Sequence, residues 1–442
     1  MSKKERENPT KSRPLRRALY VFLALIIAAA AFTAGWLGRY YALDSRMRAL
    51  MWAMDTLEKN YYEELDKDSI YDNLFAALRV DPYTRFYTKA EYAKILAESA
   101  GNNRDTGILV IEEDNIPVVY SVVGNSTAAN AGLKRGMYIH AFGASEETAK
   151  KGTKAELIDF VGGHSGPFVL KCGFQKNGAD AAFYTAESTE YLAAYCTYRD
   201  SEGAYAYRGE DVLKLENITE TPEGVPPLAG ADDRTAYIRI DEFDGNVARE
   251  FVYLLELMKE RGRDKLVLDL RGNGGGYLND MISIASHLMK DAPSKNAVVA
   301  TARYRKGDEQ RYAVNRADFS AYFSADTRIK VLADEDTASA SECLIGAMVE
   351  HGTIGYGDIL LRENAKGEAK TYGKGIMQSH FTDSRGNVMK VTVATVHWPA
   401  TGKCIQGTGV TKEDGAVGIV ADALFTEAND AMLIAALSRL LS

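Results

Sequence analysis

The spacing of apolar positions changes several times along these 442 residues, and each change predicts a different kind of element. The first pattern is a solid run: "ALYVFLALIIAAAAFTAGWLG", Ala18 to Gly38, holds 21 residues without a charge. As a helix, that length spans a hydrocarbon core of about 30 Å. From about 42 to 98, apolar residues recur every three or four positions, as in "LDSRMRALMWAMDTLEKNYYEEL", which predicts helices. Thr88 with Glu91 three residues on predicts a capped helix start. Between 107 and 176 the pattern shortens to β-rich runs, "GILVIEE", "IPVVYSVV", "YIHAFG" and "PFVLKCGF", with short helices at "STAANAGL" and "KAELIDFVG". That stretch predicts a small β-domain. Residues 177–230 are rich in Tyr, Asp and Glu, and "TETPEGVPPLAGADD" reads as an exposed loop with no assigned function.

From 235 onward, strand and helix patterns alternate. "TAYIRI" precedes a helix from Asn246 to Arg261, with Val247, Phe251, Leu254, Leu255 and Met258 on one stripe. "KLVLDL" is a continuous apolar strand of the kind buried on both faces. The loop "RGNGGG" and an amphipathic helix follow, then the strands "AVVATARYR" and "IKVLAD", a helix from about Thr337, and "TIGYGD" as the next strand. "NVMKVTVATVHW" and a final helix from about Glu427 complete the tail. Alternation of this kind predicts right-handed crossovers around a mostly parallel sheet.

Charge sharpens the N-terminal reading. Residues 1–17 carry seven Lys/Arg against two Glu, so a body near −13 lies behind a basic tail, given the net −8. The acidic body argues against nucleic acid as a partner. Lys11, Arg13, Arg16 and Arg17 before the apolar run, with Trp36, Tyr40 and Tyr41 at its far end, predict a single-pass anchor with a cytoplasmic N-terminus. The competing reading is a cleaved signal peptide, since "FTAG" offers small residues near a cut. Cys172, Cys196, Cys343 and Cys404 show no CxxC spacing and neither demand nor exclude a disulfide. The six histidines show no metal-ligand spacing, so no metal is expected.

Three stretches could carry chemistry. After the strand 265–270, "RGNGGGY" can turn several N–H groups toward one anion; it lacks a dinucleotide or P-loop fingerprint and suits an oxyanion better. Taken alone, the loop is better explained as a tight turn that lets helix and strand pack closely. "DEDTASASEC", 334–343, packs Thr337, Ser339 and Ser341 at a helix start. Ser339 and Glu342 satisfy the capping-box pattern, which needs no catalysis, yet the same place gives a serine the positive end of a helix dipole. In "KTYGKGIMQ", Lys374 lies between two glycines, 35 residues after Ser339. A lysine acts as base only when neutral, and burial can supply the necessary shift. His380 is the alternative base near this motif, and lysine is preferred.

Taken together, "DPYTRFYTKAEY", "TGILV…STAANAGLKRGMYI", "YIRIDEF", "LVLDLRGNGGG", "TASASE", "TYGKGIMQ" and "TGKCIQGTGVT" resemble, in order, the motifs of the C-terminal processing (tail-specific) peptidases. These are family S41 serine proteases with an inserted PDZ domain. The resemblance implies a mostly parallel crotonase/ClpP-like core sheet with helices, a small PDZ-like β-domain, and an N-terminal helical segment behind the transmembrane helix. It divides the chain into a basic tail (1–17), an anchor (18–38), a helical region (39–100), a PDZ-like domain (101–178), a connecting region (179–234) and a protease core (235–442). By the same resemblance Ser339 is the nucleophile, Lys374 the general base and Gln378 its orienting partner. The oxyanion hole is formed by Ala340 and Gly275, with Gly276 as the alternative to Gly275. Gly107, Ile108 and Leu109 would bind peptide. Two departures stand out: "ILLRENAKGEA" looks like an insertion between Ser339 and Lys374, and Met137, "FGA" and Leu109 depart from the PDZ pattern.

The expectation is therefore a membrane-anchored serine endopeptidase without cofactors, cutting extracytoplasmic proteins near accessible C-termini in a bacterial envelope; self-association stays open. The rivals are an inactive peptide-binding scaffold of the same fold and another acyl-transfer or lyase chemistry on a crotonase-type core.

Overall fold

The buried strand Lys265–Asp269 sits at the centre of the architecture, because its alternating side chains feed two separate cores. Leu266 and Leu268 face one side, with Ile238, Val331 and the helices Val247–Glu260, Leu278–Leu288 and Ala340–Glu350. Val267 faces the other, with Tyr237, Leu332, Leu360 and the helix Ala431–Leu441. A strand covered on both faces has no polar side to keep, hence its unbroken apolar run. The computed structural model describes residues 13–61, 65–207, 218–220, 227–289, 297–314, 328–423, 425 and 429–441.

This sheet has eight strands in the order Ile218–Glu220, Ala204–Tyr207, Cys196–Arg199, Thr235–Ile240, Lys265–Asp269, Arg328–Ala333, Ile359–Glu363, Val417–Val420. The last five pair in parallel. Cys196–Arg199 pairs antiparallel with Thr235–Ile240, and Ala204–Tyr207 and Ile218–Glu220 add antiparallel beyond it, so the sheet is mixed and the region expected only to connect domains supplies three of its eight strands. "TIGYGD" holds a short 3-10 helix, Tyr356–Asp358, rather than a strand. The strand is Ile359–Glu363, inside the stretch that looked inserted, because Gly355 and Gly357 weaken the first candidate while Ile359, Leu360 and Leu361 are fully buried. A second, antiparallel sheet joins Arg85–Tyr87, Val388–His397, Val298–Tyr304 and Glu309–Ala313, with Ile376–Thr382 also pairing with Val388–His397.

The small β-domain is a five-stranded antiparallel sheet in the order Ile108–Glu113, Ile116–Val122, Tyr138–Gly143, Phe168–Gly173, Ala182–Ala186. Val119, Ile139, Phe142, Leu157, Phe168 and Leu170 fill its core. All four cysteines are free, and Cys172, Cys196 and Cys343 are buried.

Chain contacts separate Met1–Ala77 from Leu78–Ser442. The first unit contains the helices Arg13–Ala42, Ser45–Asn60 and Lys67–Ala76, and residues 1–12 of the expected basic tail lie outside the described residues. Asp44 and Asp66 cap the second and third helices through Arg46 N–H and Ser69 N–H. The expected transmembrane anchor is corrected here: among the described residues no helix is long and apolar enough to cross a membrane. Lack of charge is a weaker condition than apolarity, since residues 28–31 are all alanine and 33–35 are Thr, Ala and Gly, each with little apolar surface.

Two buried charges tie the core sheet together. Arg271 is almost fully buried; its Nη1 and Nη2 donate to Asp430 Oδ1 and Oδ2 at 2.8 and 2.7 Å, and its Nε donates to Asp269 Oδ1 at 2.9 Å. Burial opposes ionisation of Asp269, but Arg271 and Arg239 overcome it and hold the carboxyl well below the usual range. Asp430→Ala leaves Arg271 paired with Asp269 but takes the partner from its buried Nη1, and is expected to cost about 1–3 kcal/mol in urea unfolding. Glu250, also buried, accepts from Tyr195 and Cys196 N–H at 2.8 and 2.9 Å through Oε2, while Oε1 has no partner. Burial pushes its carboxyl up to about 8 from 4.5. The folded state then binds the extra proton, so this group stabilises at low pH and its contribution is lost as pH rises from 4.5 to about 8. Urea titrations at pH 5 and 8 are expected to show a smaller loss in Glu250→Gln than in the wild type.

Candidate active site

The parallel strands Lys265–Asp269 and Arg328–Ala333 lie side by side, so the loops leaving their C-terminal ends meet. These are the glycine loop and "DEDTASASEC". Asn273 binds them together from a buried position. Its Nδ2 donates to Ile240 O at 2.9 Å, its Oδ1 accepts from Gly275 N–H at 2.9 Å, and its carbonyl accepts from Ala338 N–H at 2.9 Å and Ser341 Oγ at 3.1 Å. Thr337 Oγ1 adds a bond to Leu270 O at 2.8 Å. Asp334 Oδ1 accepts from Gly272 N–H at 2.9 Å and Thr337 N–H at 3.1 Å. The sequence reading named Asn273 only as part of the glycine loop; a lone asparagine between glycines was the available signal.

Of the three hydroxyls, Thr337 and Ser341 are buried and donate to backbone carbonyls, while Ser339 is half-buried. Ser339 has φ 57° and ψ −112°, left-handed backbone that a non-glycine residue rarely adopts. Such a residue costs about 1–3 kcal/mol and persists only where its surroundings enforce it. The enforcement is visible. A Cβ on Gly275, at φ 104°, would stand 2.7 Å from Ser339 Cβ and 3.0 Å from Ala340 N. The expected oxyanion residues Gly275 and Ala340 are therefore both at Ser339. Gly275 N–H is engaged by Asn273 Oδ1. Gly276, at φ 136°, admits no side chain either, since a Cβ would meet Phe243 O at 2.2 Å.

Lys374 arrives from the other sheet, two residues before the strand Ile376–Thr382. The residue that brings it to Ser339 is Glu342, whose role beyond capping the sequence reading missed. Its Oε2 accepts from Ser339 N–H and from Lys374 N–H, both at 2.9 Å. Its Oε1 accepts from Gly373 N–H at 2.8 Å and from Thr371 Oγ1. Burial pushes the Glu342 carboxyl up, and these four donors pull against it. Tyr372 N–H donates to Thr337 O at 3.0 Å, a second stitch between the two segments. Burial and the charge of Lys390 lower the Lys374 amine from its ordinary value, with Glu342 acting the other way.

The remaining expected residues are placed as follows. Gln378 donates through Nε2 to Thr392 Oγ1 at 3.2 Å, so its recorded partner is on the neighbouring strand. His380 is exposed and its ring contacts Tyr92 at 5.3 Å. Ile108 and Leu109 begin the edge strand of the small β-domain and Gly107 precedes it; Leu109 is 57% exposed, and Gly107 N–H donates to Asp105 Oδ1 at 2.7 Å. The β-domain reaches the nucleophile's loop elsewhere. Tyr120 OH donates to Asp336, and Arg135 lies 4.6 Å from the Tyr120 ring while donating to Ala423 O at 2.9 Å. Among the described residues no group of His, Cys, Asp and Glu could hold a metal.

Comparisons with known proteins fit this arrangement. Residues 234–414 match the family model of peptidase family S41, which bears out the resemblance read from the ordered motifs. The carboxyl-terminal-processing protease of Synechocystis is 34% identical over 197 residues, 43% of this chain and 42% of that protein. The carboxy-terminal processing protease CtpB of Bacillus subtilis is 24% identical over 355 residues, 79% of this chain and 64% of that protein. The chain thus spans less than two thirds of the length of these relatives. A solved structure described as an S41 protease of Bacteroides fragilis shares the fold, with a TM-score of 0.52 at 17% identity over 86% of this chain and 91% of that one.

The packing of Gly275 on Ser339 makes a direct prediction. Gly275→Ala puts a side chain at φ 104° against Ser339 Cβ. It is expected to lower stability by about 1–3 kcal/mol in denaturant unfolding, against a change within about 0.5 kcal/mol for Gly357→Ala, where a Cβ would meet nothing within 4 Å and the backbone is not left-handed.

Proposed function

We propose that the chain, whose residues 234–414 match the model of peptidase family S41, is a serine endopeptidase working through a Ser339–Lys374 dyad. The observation that carries this reading is the shared carboxylate oxygen: Glu342 Oε2 holds the amides of both Ser339 and Lys374, the first in strained left-handed backbone, the second with a depressed amine. Neutral Lys374 takes the Ser339 Oγ proton as that oxygen attacks the scissile carbonyl. The oxyanion is met by Ala340 N–H, at the positive end of the helix Ala340–Glu350, and by Gly275 N–H, which exchanges its bond to Asn273 Oδ1 for the incoming oxygen. Lys374, now charged, protonates the leaving amine. Water then gives a proton to the same lysine as it attacks the ester, and the lysine passes that proton to Ser339 Oγ as the C–O bond breaks, which restores the hydroxyl and the neutral amine. Gln378 acts through the strand pairing that holds the lysine segment rather than by direct contact.

The substrates we propose are protein chains with accessible C-termini. Ile108–Glu113 is an edge strand with an exposed Leu109, a surface onto which an extended chain end can add as a further strand. An inactive scaffold of the same fold has no use for a strained serine sharing its anchor with a half-buried lysine.

The test compares wild type, Ser339→Ala and Lys374→Arg on an unfolded protein with a free or an amidated C-terminus. Both variants are expected to lose at least about a thousandfold in kcat, and amidation is expected to raise KM. Because only the neutral amine serves, kcat is expected to rise with pH through a limb lying below the ordinary lysine value of 10.5. Equal cleavage by all three proteins would sink the dyad.

A further inference from the structure

The turn before the strand Arg85–Tyr87 is built to a tighter specification than a connection needs. Asp81 Oδ1 accepts from Tyr83 N–H and Thr84 N–H, both at 2.7 Å, and Oδ2 accepts from Thr84 Oγ1 at 2.9 Å. The buried Thr84 Oγ1 also accepts from Thr392 N–H at 3.3 Å, and Thr392 Oγ1 is the oxygen that Gln378 donates to. Arg85 to Tyr87 then pair with Lys390 to Val388. The turn is therefore bonded to the same sheet that delivers Lys374, and its one large side chain, Tyr83, is aimed at the site. Lys374 Nζ stands 4.5 Å from the centre of the Tyr83 ring, and Tyr83 OH donates to Tyr372 OH at 3.3 Å.

We propose that Tyr83 is a positioning residue for the lysine base, its ring face meeting the positive charge that Lys374 acquires when it takes the Ser339 proton. This rests on the dyad reading above. In the ground state the working amine is neutral and has little to gain from the ring. During attack it becomes an ammonium, and the negative face of an aromatic ring attracts a cation held above it. An interaction that grows as charge develops lowers the barrier instead of merely tightening binding. The groups facing Lys374 explain why such help is needed. Glu342, on the helix Ala340–Glu350, has a carboxylate already engaged by four donors. Lys390, on Val388–His397, repels a second ammonium, with Arg85 acting on Lys390 in turn. Tyr372 is exposed and bonded to Tyr83. Among these groups the ring is the one apolar face that favours the charged lysine without bringing a charge of its own.

Substitution separates the ring face from simple space-filling. Tyr83→Phe keeps the face; Tyr83→Leu keeps apolar cover and removes it. Steady-state cleavage is followed against pH. Independently of activity, Lys374 is titrated by its rate of acylation, read by peptide mapping after brief treatment with acetic anhydride across the same pH range. Tyr83→Phe is expected to keep kcat within about twofold, and Tyr83→Leu to lose about three- to tenfold in kcat with KM little changed. The kcat limb and the acylation midpoint are both expected to move to lower pH in Tyr83→Leu, because the charged form has lost a partner. Phe and Leu variants that behave alike, or a Leu variant whose midpoint stays or rises, would overturn the role given to the ring. Wild type that fails to cleave, with the acylation midpoint still falling in Tyr83→Leu, would overturn the peptidase reading and leave the ring–lysine coupling standing.

Discussion

Four hydrogen bonds to one buried carboxylate join the two halves of the site. Ser339 leaves the core sheet and Lys374 enters the antiparallel sheet, and the backbones of the two meet on Glu342 Oε2. Gly373 N–H and Thr371 Oγ1 occupy the other oxygen. Each of those donors, left alone in a buried place, would cost about 1–3 kcal/mol. The arrangement is thus held by the price of breaking it as much as by what it gains. It also settles a geometric question that packing leaves open, because side-chain contacts between sheets tolerate small slips and a carboxylate with four fixed donors does not.

Around that junction the loops are organised by conformations that few residues adopt. Gly275 and Gly276 pass close to Ser339 and Phe243 with no room for a Cβ, and Ser339 takes up left-handed backbone against them. Asn273 links the glycine loop to the carbonyl of Ile240 and to the start of the serine helix. The resting bonds of Gly275 and Gln378 are both satisfied within the protein, by Asn273 and Thr392. Under the mechanism proposed above, an incoming carbonyl displaces an existing partner of Gly275, so the site would meet its ligand by exchange of hydrogen bonds.

Much of this was legible in the chain itself. The stripe Val247, Phe251, Leu254, Leu255 and Met258, the solid run around Leu266 to Leu268, and the capping boxes at Thr88 and Ser339 all report local periodicity, and each became the expected element. The strands at Cys196–Arg199, Ala204–Tyr207 and Ile218–Glu220 were not legible, because they are set by pairing in series outward from Thr235–Ile240 rather than by their own pattern. Ile359–Glu363 was taken for an insertion because spacing alone counts residues and does not weigh them. The uncharged stretch after Arg17 was read as a membrane span from charge, where apolar content decides. At the site, Ser339, Gly275 and Ala340 could be named from motif order. Glu342 as a bridge and Tyr83 as a neighbour of Lys374 could not, since both depend on segments brought together from far along the chain.

The double engagement of Glu342 has a consequence for how this chain can change over generations. The segment leaving the serine helix and the one returning at Thr371 are clamped at both ends, by the same carboxylate at positions 342 and 373–374. Between them, beyond the buried strand Ile359–Glu363, the turn at Asn364–Glu368 is a place where added residues would leave the clamped backbones of Ser339 and Lys374 where they are. Loop closure grows only slowly with length. The clamp frees the contour length of that excursion from selection on the chemistry, leaving it available for drift or for new contacts.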